Sequence, residues 1–192
     1  MGAMGDLRVL LLPGWQNSDP DHWQSRWEAQ HGWPRLQQSD WIWPRRGDWM
    51  VQLEENLLAE PQPTLLVAHS LGCHLVAAWA AHSRHTARVA AALLVAPPDL
   101  ERPDLPPQVQ GWAPLQRRPL PFPSTLVLSR DDPFCAASRS LALAADWGSE
   151  VHKLGAAGHI NADSGLADWP AGIHVLAALA RRAGFSAPVP AG

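Results

Sequence analysis

Short apolar runs and longer amphipathic stretches alternate along this chain. Residues 8–12 form an apolar run halted by Pro13-Gly14, the pattern of a buried strand entering a tight loop. Between residues 19 and 30 the apolar positions Trp23 and Trp27 share a helical face, which predicts a helix capped by Asp19 with Pro20 at its first position. A second helix is expected over residues 47–59, with Trp49, Met50, Leu53, Leu57 and Leu58 along one stripe. Residues 36–41, between the two, read as a short, weak strand. Further strands are predicted at 64–68, 89–96, 125–129 and 150–154, and further helices at 71–83, 136–147 and 169–183.

That pattern makes six strands alternating with helices. The strands are apolar on both faces, as in a parallel sheet covered on two sides. One segment breaks the rhythm. Residues 97–123 hold nine of the chain's 19 prolines, too many for regular structure, and are expected to form a rigid loop or small lid. The folded unit is placed at residues 7–183. Residues 1–6 are set aside as disordered or tag-derived, and 184–192 as a flexible tail.

Composition narrows the function classes. A chain of 192 residues with 46% hydrophobic content suits one domain with a sizeable core and excludes a disordered protein. Its net charge is −3 and no basic block exceeds a pair of arginines, so no nucleic-acid partner is expected. No apolar run approaches the ~20 residues that span a bilayer, and no basic-then-apolar N-terminal pattern marks a signal peptide. A cytoplasmic protein without a membrane partner is expected, as a monomer or weak homo-oligomer. Tyrosine is absent and Lys153 is the one lysine, which leaves phenolic chemistry without a residue and amine chemistry with a single candidate. The excess of Arg over Lys, with many Ala, Pro and Trp, is of the kind a GC-rich bacterial genome produces. The nine histidines show no metal-ligand spacing and no Gly-rich phosphate cradle occurs, so neither metal nor cofactor is expected. Cys73 and Cys135 read as small packing residues, with a redox pair as the alternative.

The segment that carries chemistry is Ala68-His69-Ser70-Leu71-Gly72. A strand runs into a serine flanked by small residues two before and two after, and a helix follows at once. Such a turn forces the serine into strained dihedrals and projects its hydroxyl at the carboxyl edge of the sheet, beside helix N-terminal amides. The plain alternative is an ordinary junction with Ser70 as helix cap. Position favours the chemical reading. The strand at 125–129 leads into Arg130-Asp131-Asp132-Pro133, and that at 150–154 into Gly155-Ala156-Ala157-Gly158-His159. An acid and then a histidine thus follow the serine, each on a loop after a later strand. His159 would take the serine proton and return it to the leaving group, and Asp132 would hold the imidazole. Asp132 is preferred to Asp131 because the residue before the proline lies where the chain turns away. The Leu71 amide and the Trp15 amide of the Pro13-Gly14-Trp15 loop are the expected oxyanion donors. Of the 11 tryptophans, Trp15 and, within the Pro-rich segment, Trp112 are the candidates for touching substrate. His22 and Asn17 are read as packing and turn-capping residues near the oxyanion loop, with substrate contact as the alternative.

Leu12-Pro13-Gly14-Trp15, the Ser70 turn, Asp131-Asp132-Pro133-Phe134 and Gly158-His159-Ile160-Asn161 together resemble the small α/β-hydrolases grouped with retinoblastoma-binding protein nine and the bacterial YdeN-like proteins. Residues 17–24 and 164–170 resemble stretches of the bacterial members, and the similarity covers about residues 7–183. It implies a single α/β-hydrolase domain with about six parallel strands, helices on both faces and no large cap domain. It also implies a Ser70, Asp132, His159 triad and hydrolysis of small acyl esters or amides. Ala68 departs from the general elbow pattern, which has glycine there. The expected activity is that of a carboxylesterase-like serine hydrolase of a small-molecule acyl substrate, through an acyl-enzyme. A hydrolase-fold binding module with vestigial catalysis and a small-substrate amidase or peptidase are the alternatives.

Overall fold

The computed structural model describes residues 7–188; the expectations for residues 1–6 and 189–192 lie outside them. The short apolar runs become strands, β1 (Arg8–Leu12), β2 (Thr64–His69), β3 (Val89–Val95) and β4 (Ser124–Leu128), and a more polar segment becomes β5 (Glu150–Lys153). They pair in sequence order and all in parallel. The helices are α1 (Trp23–His31), α2 (Arg46–Ala59), α3 (Leu71–His82), α4 (Ala137–Trp147) and α5 (Pro170–Arg182). Among the described residues no helix is long and apolar enough to cross a membrane.

Because side chains alternate along a strand, each of the strands β1 to β4 feeds two cores, whereas β5, largely exposed, adds no buried side chain to either. Leu10, Leu12, Leu66, Ala68, Leu94 and Leu126 pack with Leu53 and Leu57 of α2, Leu75 of α3 and Leu143 of α4. Val9, Leu11, Leu65, Val67, Leu93 and Val127 pack with Trp23 and Trp27 of α1 and Leu176 and Leu179 of α5. Every crossover steps across the sheet in one direction, so connections of one hand place α2, α3 and α4 on the same face. The outer strand β5 carries Glu150 and Lys153, charges that discourage pairing with another sheet.

Among the described residues the sheet has five strands, where about six were expected. In place of a strand at 36–41 the chain makes a single bridge just before it, Leu11 to Arg35, and the Leu36 amide donates to the Leu11 carbonyl at 2.9 Å. The pairing stops there because Gln37 to Asp40 offer no apolar side chain to bury. The Asp40 carboxylate then turns the chain by accepting the Ile42 and Trp43 amides. The first helix also starts later than expected. Asp19 accepts the amides of Asp21 and His22, closing a turn of its own, and the His22 ring caps α1 by accepting the Gln24 amide at 3.1 Å. The Pro-rich segment is irregular apart from one 3-10 turn, Pro107–Trp112. Past α5 the amides of Gly184 and Phe185 still bond to Arg181 and Ala180.

One contact fixes how α3 begins. A Cβ at Gly72 would lie 2.5 Å from the Leu12 carbonyl oxygen and 3.1 Å from that of Pro13. Helix α3 therefore starts in contact with the end of β1, and only hydrogen fits between them. Gly72→Ala is expected to cost about 1–3 kcal/mol, read as a lower urea midpoint. An unchanged midpoint would mean the two backbones part freely.

Candidate active site

Ser70 lies between β2 and α3 with φ 55° and ψ −124°. A side chain in that region is strained and persists only where its surroundings over-determine it. Here the Ser70 amide donates to the Val95 carbonyl at 2.9 Å, which fixes the turn to the neighbouring strand. On the other side the loop after β1 presses in. A Cβ on Gly14 would lie 2.9 Å from the Ser70 Cβ and 3.1 Å from the Leu71 nitrogen. Trp15 and Leu71 both line the cleft at Ser70. The Gln16 amide is occupied by the Trp41 carbonyl at 3.0 Å, whereas the Trp15 and Leu71 amides donate to no acceptor among the described residues. The Trp15 indole points elsewhere, donating to the Ile42 carbonyl at 2.9 Å.

The structure brings Ser70, His159 and Asp132 together. The Ser70 hydroxyl donates to His159 Nε2 at 2.8 Å, and His159 Nδ1 donates to Asp132 at 3.0 and 3.1 Å. A carboxylate only accepts, so Nδ1 carries the ring hydrogen and Nε2 is left free to accept. The Asp132 side chain is 3% exposed, and its Oδ1 also accepts the Phe134 amide at 2.9 Å. The adjacent Asp131 does different work. Its carboxylate accepts the Ser129 hydroxyl at 2.7 Å and the Gly158 amide at 2.9 Å, and these bonds hold it below the usual carboxylate range. The Ser129 oxygen in turn accepts the Ala157 amide at 2.9 Å. Asp131 thus clasps the loop after β4 to the loop bearing His159. No short-range signal in the sequence marks that role, because the two loops meet only once β4 and β5 are paired.

The cleft around Ser70 has a volume of about 570 Å³. Pro98, Leu100, Leu105, Pro106 and Val109 make an apolar wall, and Asn17, Ser18, Asp19, Asn161 and Asp163 a polar one. The apolar wall comes from the Pro-rich segment, but not from the residue expected there. Trp112 is a core residue, 2% exposed, whose indole donates to the Pro44 carbonyl at 2.8 Å. It packs edge-on against Trp49, because an indole this large is buried more favourably between α2 and the segment than at a wet rim. Asn17 and His22 line the cleft and also serve as turn and cap acceptors. Cys73 and Cys135 are buried free thiols, and burial pushes the Cys73 thiol well up. Among the described residues no group of acidic, His and Cys side chains is arranged to hold a metal ion.

Three histidines are buried near or behind this site. Burial, then Arg35 and His159, push His22 down to about 3. Burial, then His22 and His159, hold His69 well below the ordinary imidazole range. His74, one turn into α3, donates to the Pro98 carbonyl at 2.8 Å, and burial pushes it to about 4.

A sequence model of a family described as serine hydrolase matches residues 9–178. Among solved structures, a protein named as a YdeN-like hydrolase of Pectobacterium atrosepticum is 30% identical, with a TM-score of 0.82 over 93% of this chain and 92% of its own. The ydeN gene product of B. subtilis is 20% identical, with a TM-score of 0.70 over 91% and 98%. Esterase 2 of Thermogutta terrifontis is 17% identical, with a TM-score of 0.67 over 96% and 85%, and shares the fold. No curated protein matches the chain.

The buried histidines set a pH dependence of stability. His22 and His74 stay neutral in the fold until about 3 and about 4, whereas an unfolded histidine protonates near 6.5. Below that point the unfolded chain binds more protons, so stability falls as pH drops from about 6.5 toward 4. The urea midpoint should decline over this range, and less steeply in His74→Gln, which keeps a donor for Pro98 but does not titrate. Equal slopes for wild type and variant would contradict this.

Proposed function

The chain belongs to the serine hydrolase family of YdeN-like proteins, and from that premise we propose that it cleaves small acyl esters through Ser70, His159 and Asp132. The observation that carries the reading is the unbroken line from the Ser70 hydroxyl through both ring nitrogens of His159 to the Asp132 carboxylate. As Ser70 Oγ adds to the ester carbonyl carbon, its proton passes to His159 Nε2, and Asp132 stabilises the imidazolium that forms. The Leu71 and Trp15 amides donate to the carbonyl oxygen as it gains charge, and removing one such donor costs about 10²–10³ in rate. Collapse breaks the bond to the alkoxy group, which leaves as an alcohol with the proton from His159. Water then gives its proton to His159 and attacks the acyl-Ser70 carbonyl. Release of the carboxylic acid returns a proton to Ser70.

Small acyl groups suit the cleft. Its apolar wall of Leu100, Leu105 and Val109 takes hydrocarbon, while the volume of about 570 Å³ falls in the range of sites for small molecules. A fluorophosphonate probe should label the wild type at Ser70 and leave Ser70→Ala unlabelled. In a panel of p-nitrophenyl esters and aminoacyl amides, Asp132→Asn should lower kcat by roughly 10³–10⁴. Folded wild type that takes no label and turns over neither class would overturn the reading, and turnover of amides alone would redirect it to an amidase.

A further inference from the structure

We infer that His22 and His69 are positioning residues: they hold the main chain of His159 so that its ring stays in line with Ser70. The inference rests on the reading of His159 as the base. His159 sits on a loop of small residues, Gly155-Ala156-Ala157-Gly158, that carries no bulky side chain of its own to anchor it. The grip comes from outside. His69 Nε2 lies 2.9 Å from the His159 carbonyl oxygen.

The direction of every bond in this chain follows from the last. A carbonyl only accepts, so His69 Nε2 carries the hydrogen and His69 Nδ1 is an acceptor. His22 Nε2, 3.3 Å from that Nδ1, must therefore be the donor. His22 Nδ1 is then free to accept, and it takes the Gln24 amide at 3.1 Å. The line runs from the first turn of α1 through two neutral rings to the residue bearing the base. A proton added to either ring would set two N–H groups face to face. Arg35 is the charged group acting on His22, and His159 acts on both rings. Burial at 4% and 5% exposure keeps both uncharged.

The neighbouring residue gives an independent sign that this backbone is held under load. Ile160 has φ 51°, a region that a β-branched residue rarely enters. Its carbonyl accepts Trp23 Nε1 at 2.8 Å, so two successive carbonyls are gripped by ring N–H donors from α1 and the end of β2. Strain of this kind persists only where the surroundings enforce it, and it collects where geometry matters to function. A shift of about 1 Å in a reacting group can cost about 10²-fold in rate.

The test compares two variants at one position. His69→Leu removes the donor and is expected to lower kcat about 10- to 100-fold with KM within about twofold. His69→Gln can donate its amide N–H to the His159 carbonyl and accept from His22, and should regain most of the loss. Leu and Gln variants with equal kcat, or a loss confined to KM, would overturn the inference. A second readout needs no His69 variant and no turnover. Long-range 1H–15N correlation spectra of wild type and Ser70→Ala should show His22 and His69 as neutral Nε2–H tautomers from about pH 5 to 8. An Nδ1–H tautomer or a charged ring at either site would overturn it. Absence of turnover in wild type with these tautomers intact would count against the proposed function and leave the positioning line standing.

Discussion

At the carboxyl ends of β1 and β2 two backbones meet with no side chain between them, and the site depends on that contact. Gly72 lets α3 begin against the Leu12 carbonyl, and Gly14 lets the loop after β1 close onto Ser70 and Leu71. With both in place, the turn at Ser70 cannot relax to ordinary dihedrals, and the strain is borne by the packing of two strands and a helix. The same contact brings the loop of Trp15 and the start of α3 together at the cleft around the serine. Parallel pairing does the rest, because it sends the loops after β4 and β5 to the same edge of the sheet.

The irregular parts of the chain are held by ring N–H groups. An indole donates and cannot accept, so a buried tryptophan needs an acceptor, and loop carbonyls are the acceptors to hand. Trp49 reaches Asp40, Trp112 reaches Pro44, Trp147 reaches Gln116, Trp27 reaches Asp168 and Trp23 reaches Ile160. In a chain without tyrosine, tryptophan and neutral histidine supply the long-reach donors that tie loops to the layered core. Among the described residues, the buried indole nitrogen of Trp169 has no hydrogen-bond partner. Its ring instead lies where a Cβ on Gly172 would come within 2.4 Å.

The Pro-rich segment is coupled to the loop of Asp132. The Asp99 amide donates to the Phe134 carbonyl at 2.9 Å, and Arg102 donates to that of Pro133 at 2.8 Å. Arg117 joins Glu101 to Asp146, and Arg139 joins Asp99 to Glu101. Such exposed pairs are weak singly, but shared carboxylates make them a network. The apolar wall of the cleft and the acid that orients His159 therefore stand on one connected piece of the surface.

Much of the molecule was legible in local pattern. Four apolar runs and the helical stripes marked the strands and helices because burial on a sheet selects residues by a short period. The small residues around Ser70 were visible because backbone approach tolerates nothing larger. The strand at 36–41 failed because pairing needs apolar side chains to bury, and Gln37 to Asp40 have none. Trp112 was misplaced because a tryptophan in a loop looks the same in sequence whether it faces a cleft or fills a core. The order of Ser70, Asp132 and His159 was a matter of chain alone. Their hydrogen-bonded line, the clasp of Asp131 and the tautomers of His22 and His69 were decided only by the tertiary structure. Each depends on directional bonds between groups distant in the chain, and direction is a property of space that no local sequence carries.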